Sequence, residues 1–455
     1  MRIILTIAWL LIVFSTPAAT KYIRSAATGA NNGTSWADAY SAFSSVTWVR
    51  GDTYYLAGGS YLALTVAPAA NGSWVTIKKA NATDNGSDAG WSSSYATTTA
   101  TISGLVAFDN GKVALNGVTG AGTSGHGIRI EVTNITGAAV TLEYDTSDYI
   151  LAGLEIQGAG YAASSNSADG IFWNNGANQK GLIVSNVWVH EVTRNGLALG
   201  AVAGTSFDDP GMRWSRSVIS ETGGCLDPDQ HGQGMQISYA TDSRFLVIEG
   251  SLFKNVVGSA MIGFLGGASA RHSDVRIINN VFWISDNATY RTVSPGVVWA
   301  HDSAQYATNF LVANNTVYGV GNTTNTGALA QFVLQSTNTI GNRLINNLWQ
   351  SSYFSATNTG FGTMATNGYY ANTGAKVPSG TPGQIDGASS GLLSPDSGVF
   401  TPTGFSINAG ATLSEFSDDY TGATRVAPWD IGAYELIHPT ASAGTVTVGT
   451  LIIGP

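Results

Sequence analysis

The stretch RIINNVFWI, residues 276–284, sets two asparagines inside an alternating apolar run, and the pattern recurs as VANNTVYG at 312–319 and LINNLWQ at 344–350. Asparagine is disfavoured within strands because its amide competes with the backbone for hydrogen bonds. A pair at the same point of three such runs therefore marks a corner where two short strands meet. Aligning on the second asparagine draws in LNGVTG, LAGLEI, VSNVWV, SRSVIS and EGSLFK. The shared position is then Gly117, Gly153, Asn186, Ser217, Ser251, Asn280, Asn315 and Asn347, at intervals of 36, 33, 31, 34, 29, 35 and 32 residues.

A second signal runs with the first. A glycine opens a short apolar triplet at Gly127, Gly170, Gly196, Gly234, Gly296 and Gly327, and in the rung of Ser251 it degenerates to SAMIGF. Each period thus holds about three short strands separated by turns, with no useful run at helical spacing. A repeat of this length means a solenoid, a propeller or an array. Propeller blades need four antiparallel strands and tight hairpins, and this chain has few hairpin signals. Three strands per ~32 residues instead predict a coil that turns three corners and stacks on itself at the ~4.8 Å strand spacing. The expected fold is all-β, a single-stranded right-handed parallel β-helix with an asparagine ladder. Successive corner amides bond one another up the coil, and glycine or serine replaces them where asparagine is missing.

The rest of the composition agrees. Of 455 residues only 11% are charged, while hydrophobic residues reach 44% and aromatics 10%, enough for a large core and against disorder. A net charge of −9 argues against binding nucleic acid through its phosphates. The one cysteine, Cys225, forbids an internal disulfide. Residues 1–19 have the parts of a secretory signal: Arg2, an apolar run from Ile3 to Phe14, and a small-residue end at Ala18-Ala19. The run is too short to span a bilayer, which takes ~20 apolar residues. The expectation is cleavage near Ala18 or Ala19 and a secreted product without a membrane span. The solenoid is expected over 20–436, with an N-terminal cap at about 22–60, irregular coils at about 351–436 and a tail at 437–455.

With the rungs aligned, the chain resembles the right-handed parallel β-helix, or pectate-lyase-like, superfamily. The resemblance rests on the ladder Asn279-Asn280, Asn314-Asn315 and Asn346-Asn347, the opening YIRSAATGANNGTSWADAYSAF (22–43) and GDTYYLAGGSY (51–61), and the closing TRVAPWDIGAYE (424–435). It implies a fold more firmly than an activity, because one fold hosts many sites. It also implies that the loop between the third strand of one coil and the first of the next walls a substrate cleft.

The most polar of these loops is ETGGCLDPDQHGQG, 221–234. His231 is its candidate general base or acid, and Asp227 and Asp229 are candidate oxygen ligands for Ca²⁺. Arg194 and Asp169 precede the equivalent glycines and should stack beneath; Arg194 can pair with a sugar carboxylate. The loop reads equally well as a solvated Asp-Pro-Asp turn. The catalytic set is therefore His231, Arg194 and Asp229, with Asp169, Phe172 and Gln236 binding substrate and Asp227 and Asp229 holding metal. The outward floor of the cleft is expected at Phe172, Ala198, Gln236, Val298 and Met261. It is almost uncharged, unlike the charged floor usual in pectate lyases. An opposite band with Lys180, Asp208-Asp209, Asp242, Arg271-His272, Asp274 and His301-Asp302 reads as solvated edge charge. The first functional expectation is a polysaccharide lyase working by β-elimination on an acidic or neutral glycan. The alternatives are a non-catalytic glycan-binding surface or spike protein, and a glycoside hydrolase using paired carboxylates.

Overall fold

Three short strands and three corners make one coil. Leu182–Ser185, Trp188–Val192 and Leu197–Leu199 form such a coil, and Met212–Ser215 starts the next. Each strand pairs in parallel with its counterpart one coil on: Leu182 opposite Met212, Trp188 opposite Val218, Leu197 opposite Met235. The chain is described here by a computed structural model covering residues 18–436, apart from 133–136, 144–145, 161–167, 174–178, 224–231, 238–241, 257, 267–269, 286–295, 301–305, 322–329, 336–337, 355–356 and 375–383.

The first face is a 12-stranded sheet running from Thr20–Ile23 to Thr363–Ala365, so the N-terminal segment already pairs in register with the solenoid. The second and third faces join in a 19-stranded sheet because Gly59–Val66 and Ala100–Phe108 run through both before the faces divide. Downstream, Ala100–Ser103 continues into Ile128–Glu131 on the second face, and Val106–Phe108 into Val140–Leu142 on the third. The fold is a parallel β-helix. Among the described residues no helix is long and apolar enough to cross a membrane.

Alternation fills the interior. Trp173, Trp214 and Trp349 are fully buried, as are Phe253 and Phe282, whose rings stack with centroids 5.1 Å apart. Trp349 lies flat on Tyr369 at 4.9 Å. Each large apolar side chain hidden in this way contributes about 1.5–3 kcal/mol.

The asparagine pairs divide two jobs. The first member, Asn279, Asn314 or Asn346, takes the left-handed conformation that turns the corner, with φ of 56°, 52° and 57°. Asparagine tolerates this region better than other side-chain-bearing residues. The second member points inward and bonds its neighbours. Asn315 Oδ1 accepts from the Asn280 amide at 2.9 Å and side chain at 3.1 Å, and Asn347 Oδ1 accepts from Asn315 at 3.1 and 2.9 Å. Ser217 and Ser251 continue the line at one end and Asn367 at the other. All six are buried.

Register corrects the alignment at the rungs of Asn186 and Gly153. Trp188 pairs with Val218, so Val187 stands beside Ser217 in the inner line and its N–H donates to Ser217 Oγ at 3.0 Å. Asn186, with φ 51°, and Gly153, with φ 64°, belong to the turning column outside it. A one-residue offset in sequence alignment is enough to exchange inside and outside.

Residues 387–436 do not extend the coils. They fold back along the outside and are held by the turning asparagines. Asn346 donates to Ala411 O at 2.7 Å, Asn314 to Asp430 O at 3.1 Å and Asn279 to Asp418 O at 2.8 Å. Arg425, fully buried, donates to Asn279 Oδ1, to Glu435 and to the carbonyls of Gly432 and Ala433, which locks the closing segment.

Candidate functional site

Asp169, Asn195 and Gln233 stand one above another at the corner between the second and third faces. Each precedes the glycine of its rung, Gly170, Gly196 and Gly234, and the third-face ladders keep them in register. The Asn195 amide and side chain donate to Asp169 Oδ1 at 3.1 and 2.9 Å, and the Gln233 amide donates to Asn195 Oδ1 at 2.9 Å. Gln233 goes on to Ser259 Oγ at 3.0 Å. This second polar line differs from the amide ladder in holding a charge. Asp169 is 1% exposed, and Arg194 clamps it with both arms of its guanidinium, Nε to Oδ1 at 2.8 Å and a terminal nitrogen to Oδ2. A bidentate pair of this kind is the strong form of the interaction.

The line opens on one side. The second Asn195 amide hydrogen goes to Gln236 Oε1 at 2.9 Å, and Gln236 lies on the outer surface of the third face. Parallel pairing sets Thr141, Phe172, Ala198, Gln236, Gly263, Trp299 and Val333 along that surface. The strip carries no charged side chain at these positions. Two expected floor positions are wrong: Met261 and Val298 are buried in the core. Met261 stands opposite Gly234 rather than opposite Gln236. Gly296 pairs with Ala260, one place ahead of the glycines that open the other triplets, so the alternation after it is reversed and Trp299 rather than Val298 faces outward. Gly127 is also out of place, since Ile128–Glu131 pairs with Leu154–Gln157 on the second face.

The structure thus brings Asp169, Arg194 and Gln236 into one hydrogen-bonded group, with Phe172 on the adjoining strip. His231, Asp227 and Asp229 lie outside the described residues, in the segment 224–231 that leads directly into Gln233–Ile237. Asp169 is consumed by Arg194 and Asn195. Among the described residues no group of three or more acidic, histidine or cysteine side chains is placed to hold a metal ion. Asn195 was not singled out in the sequence, although a polar residue immediately before the glycine in three consecutive rungs was the available signal.

The sequence reading also passed over a charged patch on the outer second face. His190 Nε2 lies 3.3 Å from Glu155, and Arg129 reaches Glu131 at 2.9 Å and Glu155 at 3.3 Å. The Trp188 ring covers His190 at 3.7 Å. Burial pushes the Glu155 carboxyl up, but the His190 hydrogen bond and the Arg129 charge outweigh it and hold it below the usual range. These contacts link three successive rungs and bind the coils together. In the opposite band Lys180 pairs with Asp209, as solvated edge charge does. His272 departs from that expectation: it is 0% exposed, set edge-on against Phe264, and burial pushes its pKa down to about 4.

No family model and no curated protein matches the chain. Among solved structures the crystal structure of pectate lyase Pel9A is similar, with 12% identity over 92% of this chain and 97% of that one and a TM-score of 0.48. On its own three ladders and its line of corner amides, the chain is a parallel β-helix.

Proposed function

We propose that this is an exported protein that engages a polysaccharide laid along the outer strip of the third face. The observation that carries the reading is the juxtaposition of an uncharged strip bearing the Phe172 and Trp299 side chains with the polar shelf Asp169–Asn195–Gln236. Aromatic rings supply flat apolar area and amides supply paired donors and acceptors, the two things a sugar chain needs from a groove. The catalytic form of the reading is a lyase. His231 would take the proton next to a uronate carboxylate, and a carbon–carbon double bond would form as the adjacent sugar–oxygen bond breaks. The leaving oxygen would take a proton from protonated His231 or water, and Arg194 and Asp169 would fix the wall on which the substrate rests. Asp227 and Asp229 as Ca²⁺ ligands belong to the same proposal, and a chelator tests them.

One observation favours a second reading, glycan binding without turnover. The Arg194 fork is already spent on Asp169, so its charge is offset before any substrate carboxylate arrives. The deciding experiment incubates the purified protein with polyuronates and neutral glycans. It follows ultraviolet absorbance of an unsaturated product alongside retention of each glycan by the protein. Unsaturated product lost in His231→Ala supports the lyase. Retention without product supports the binding protein, and neither from any glycan ends the reading.

A further inference from the structure

The turning column does not stop where the closing segment stops. Asn279, Asn314 and Asn346 each grip that segment, but the column continues through Gly250, Arg216 and Asn186, with φ of 55°, 48° and 51°, beyond the reach of those contacts. There Asp418, Asp419 and Tyr420 of the closing segment form a wall. Between wall and corner lies a cleft of about 350 Å³, within the size range of small-ligand sites.

The polar groups lining this cleft fall into two sets. Glu249 is engaged by Arg213, and Asp419 accepts from the backbone of Thr421, Ala423 and Glu435. By contrast, the side chains of Arg216, Asn186 and Asp418 make no hydrogen bond or ion pair among the described residues, although all three line the cleft. Asn186 and Arg216 sit on successive rungs, ~4.8 Å apart. One cationic fork, one amide that both donates and accepts, and one carboxylate are thus presented together.

We propose that this cleft is a second carbohydrate subsite, taking one uncharged sugar unit. Arg216 and Asn186 donate to its hydroxyls, and Asp418 accepts from them. With Glu249 offset by Arg213, Asp418 and Asp419 still outnumber Arg216 among the lining groups and leave the cleft net negative, which disfavours a uronate. The site lies at the corner between the first and second faces, away from the third-face strip. It rests on the reading of the protein as polysaccharide-engaging and adds a place and a sugar class to it.

The test is calorimetric titration of the full-length protein, Arg216→Ala, Asp418→Asn and Phe172→Ala with neutral oligosaccharides and with an oligogalacturonate. Arg216 is exposed, so its replacement should leave thermal unfolding unchanged. The expected result is a neutral oligosaccharide whose affinity falls roughly tenfold or more in Arg216→Ala and in Asp418→Asn, as loss of a charge-assisted hydrogen bond implies. Binding that survives both changes and is lost only in Phe172→Ala overturns the subsite and leaves the third-face groove standing. Preferential binding of oligogalacturonate through Arg216 overturns the assignment to an uncharged sugar. No binding of any of these sugars by the unaltered protein overturns the subsite together with the polysaccharide reading.

Discussion

Two corners of the same coil treat buried polar groups in opposite ways. Between the first and second faces, Ser217 to Asn367 form a line in which each amide or hydroxyl is answered by the next coil and nothing reaches solvent. Between the second and third faces, Asp169–Asn195–Gln233 is also stacked, but it contains a charge, needs Arg194 from its flank, and passes a hydrogen bond out to Gln236. A closed line spends its whole bonding capacity on cohesion. An open one retains an exit toward a surface, and that is where a ligand can be read.

The comparison is tested most severely at Asn315. Asn315→Leu strands the two Asn280 donors and Ile277 O inside the corner and leaves Asn347 Oδ1 with the residue-315 backbone N–H alone. A loss of about 4 kcal/mol is expected in denaturant unfolding, from unsatisfied groups at about 1–3 kcal/mol each, with no specific effect on any ligand. A loss below about 1 kcal/mol would mean that the closed line is ornamental.

His272 sharpens the contrast, being a buried polar group that belongs to neither line. Its folded pKa of about 4 lies below the ordinary 6.5, so the unfolded chain binds the proton more readily. Its penalty is absent above pH ~6.5, grows as pH falls, and is complete below about 4, where it reaches about 3 kcal/mol at 1.36 kcal/mol per unit. Unfolding measured between pH 7 and 4 should lose less stability in His272→Phe than in the unaltered protein. Equal losses would place the acid sensitivity elsewhere.

At the open corner a smaller effect is expected. Asp169→Asn keeps the shape but gives up the charge opposite Arg194, whose side chain is 22% exposed and can turn to water. About 1–2 kcal/mol of stability should go, well short of the deeply buried case. Glycan affinity should fall with it, because Asn195 and Gln236 lose their anchor. Stability lost with affinity untouched would make the second line as closed as the first. Least disruptive is Phe172→Ala on the half-buried strip, expected to weaken glycan retention while shifting the unfolding midpoint by only a degree or two, about 0.5 kcal/mol.

Much of this was legible in the chain. A three-strand period, an inner amide and the expectation that Asp169 and Arg194 gather before equivalent glycines, beside a floor that holds Gln236, all follow from spacing, because coils stacked in register turn sequence interval into vertical neighbourhood. The site is only half visible in that way. Spacing placed Arg194 near Asp169, but that its fork is consumed by the carboxylate depends on side-chain geometry that no interval encodes.

What the sequence determined by itself is the repeat, and with it the coil, its three faces and its amide corner, since local alternation and corner residues recur whatever lies far away. What only the tertiary structure decided is phase and return. Gly296 and Asn186 each sit one residue from where alignment puts them, and with a side-chain period of two a single step exchanges core for surface, bringing Trp299 out and Val187 in. The closing segment returns across 139 residues to Asn279 because the turning asparagines offer outward amides to a backbone that has carbonyls to satisfy, and that match exists only once both are folded.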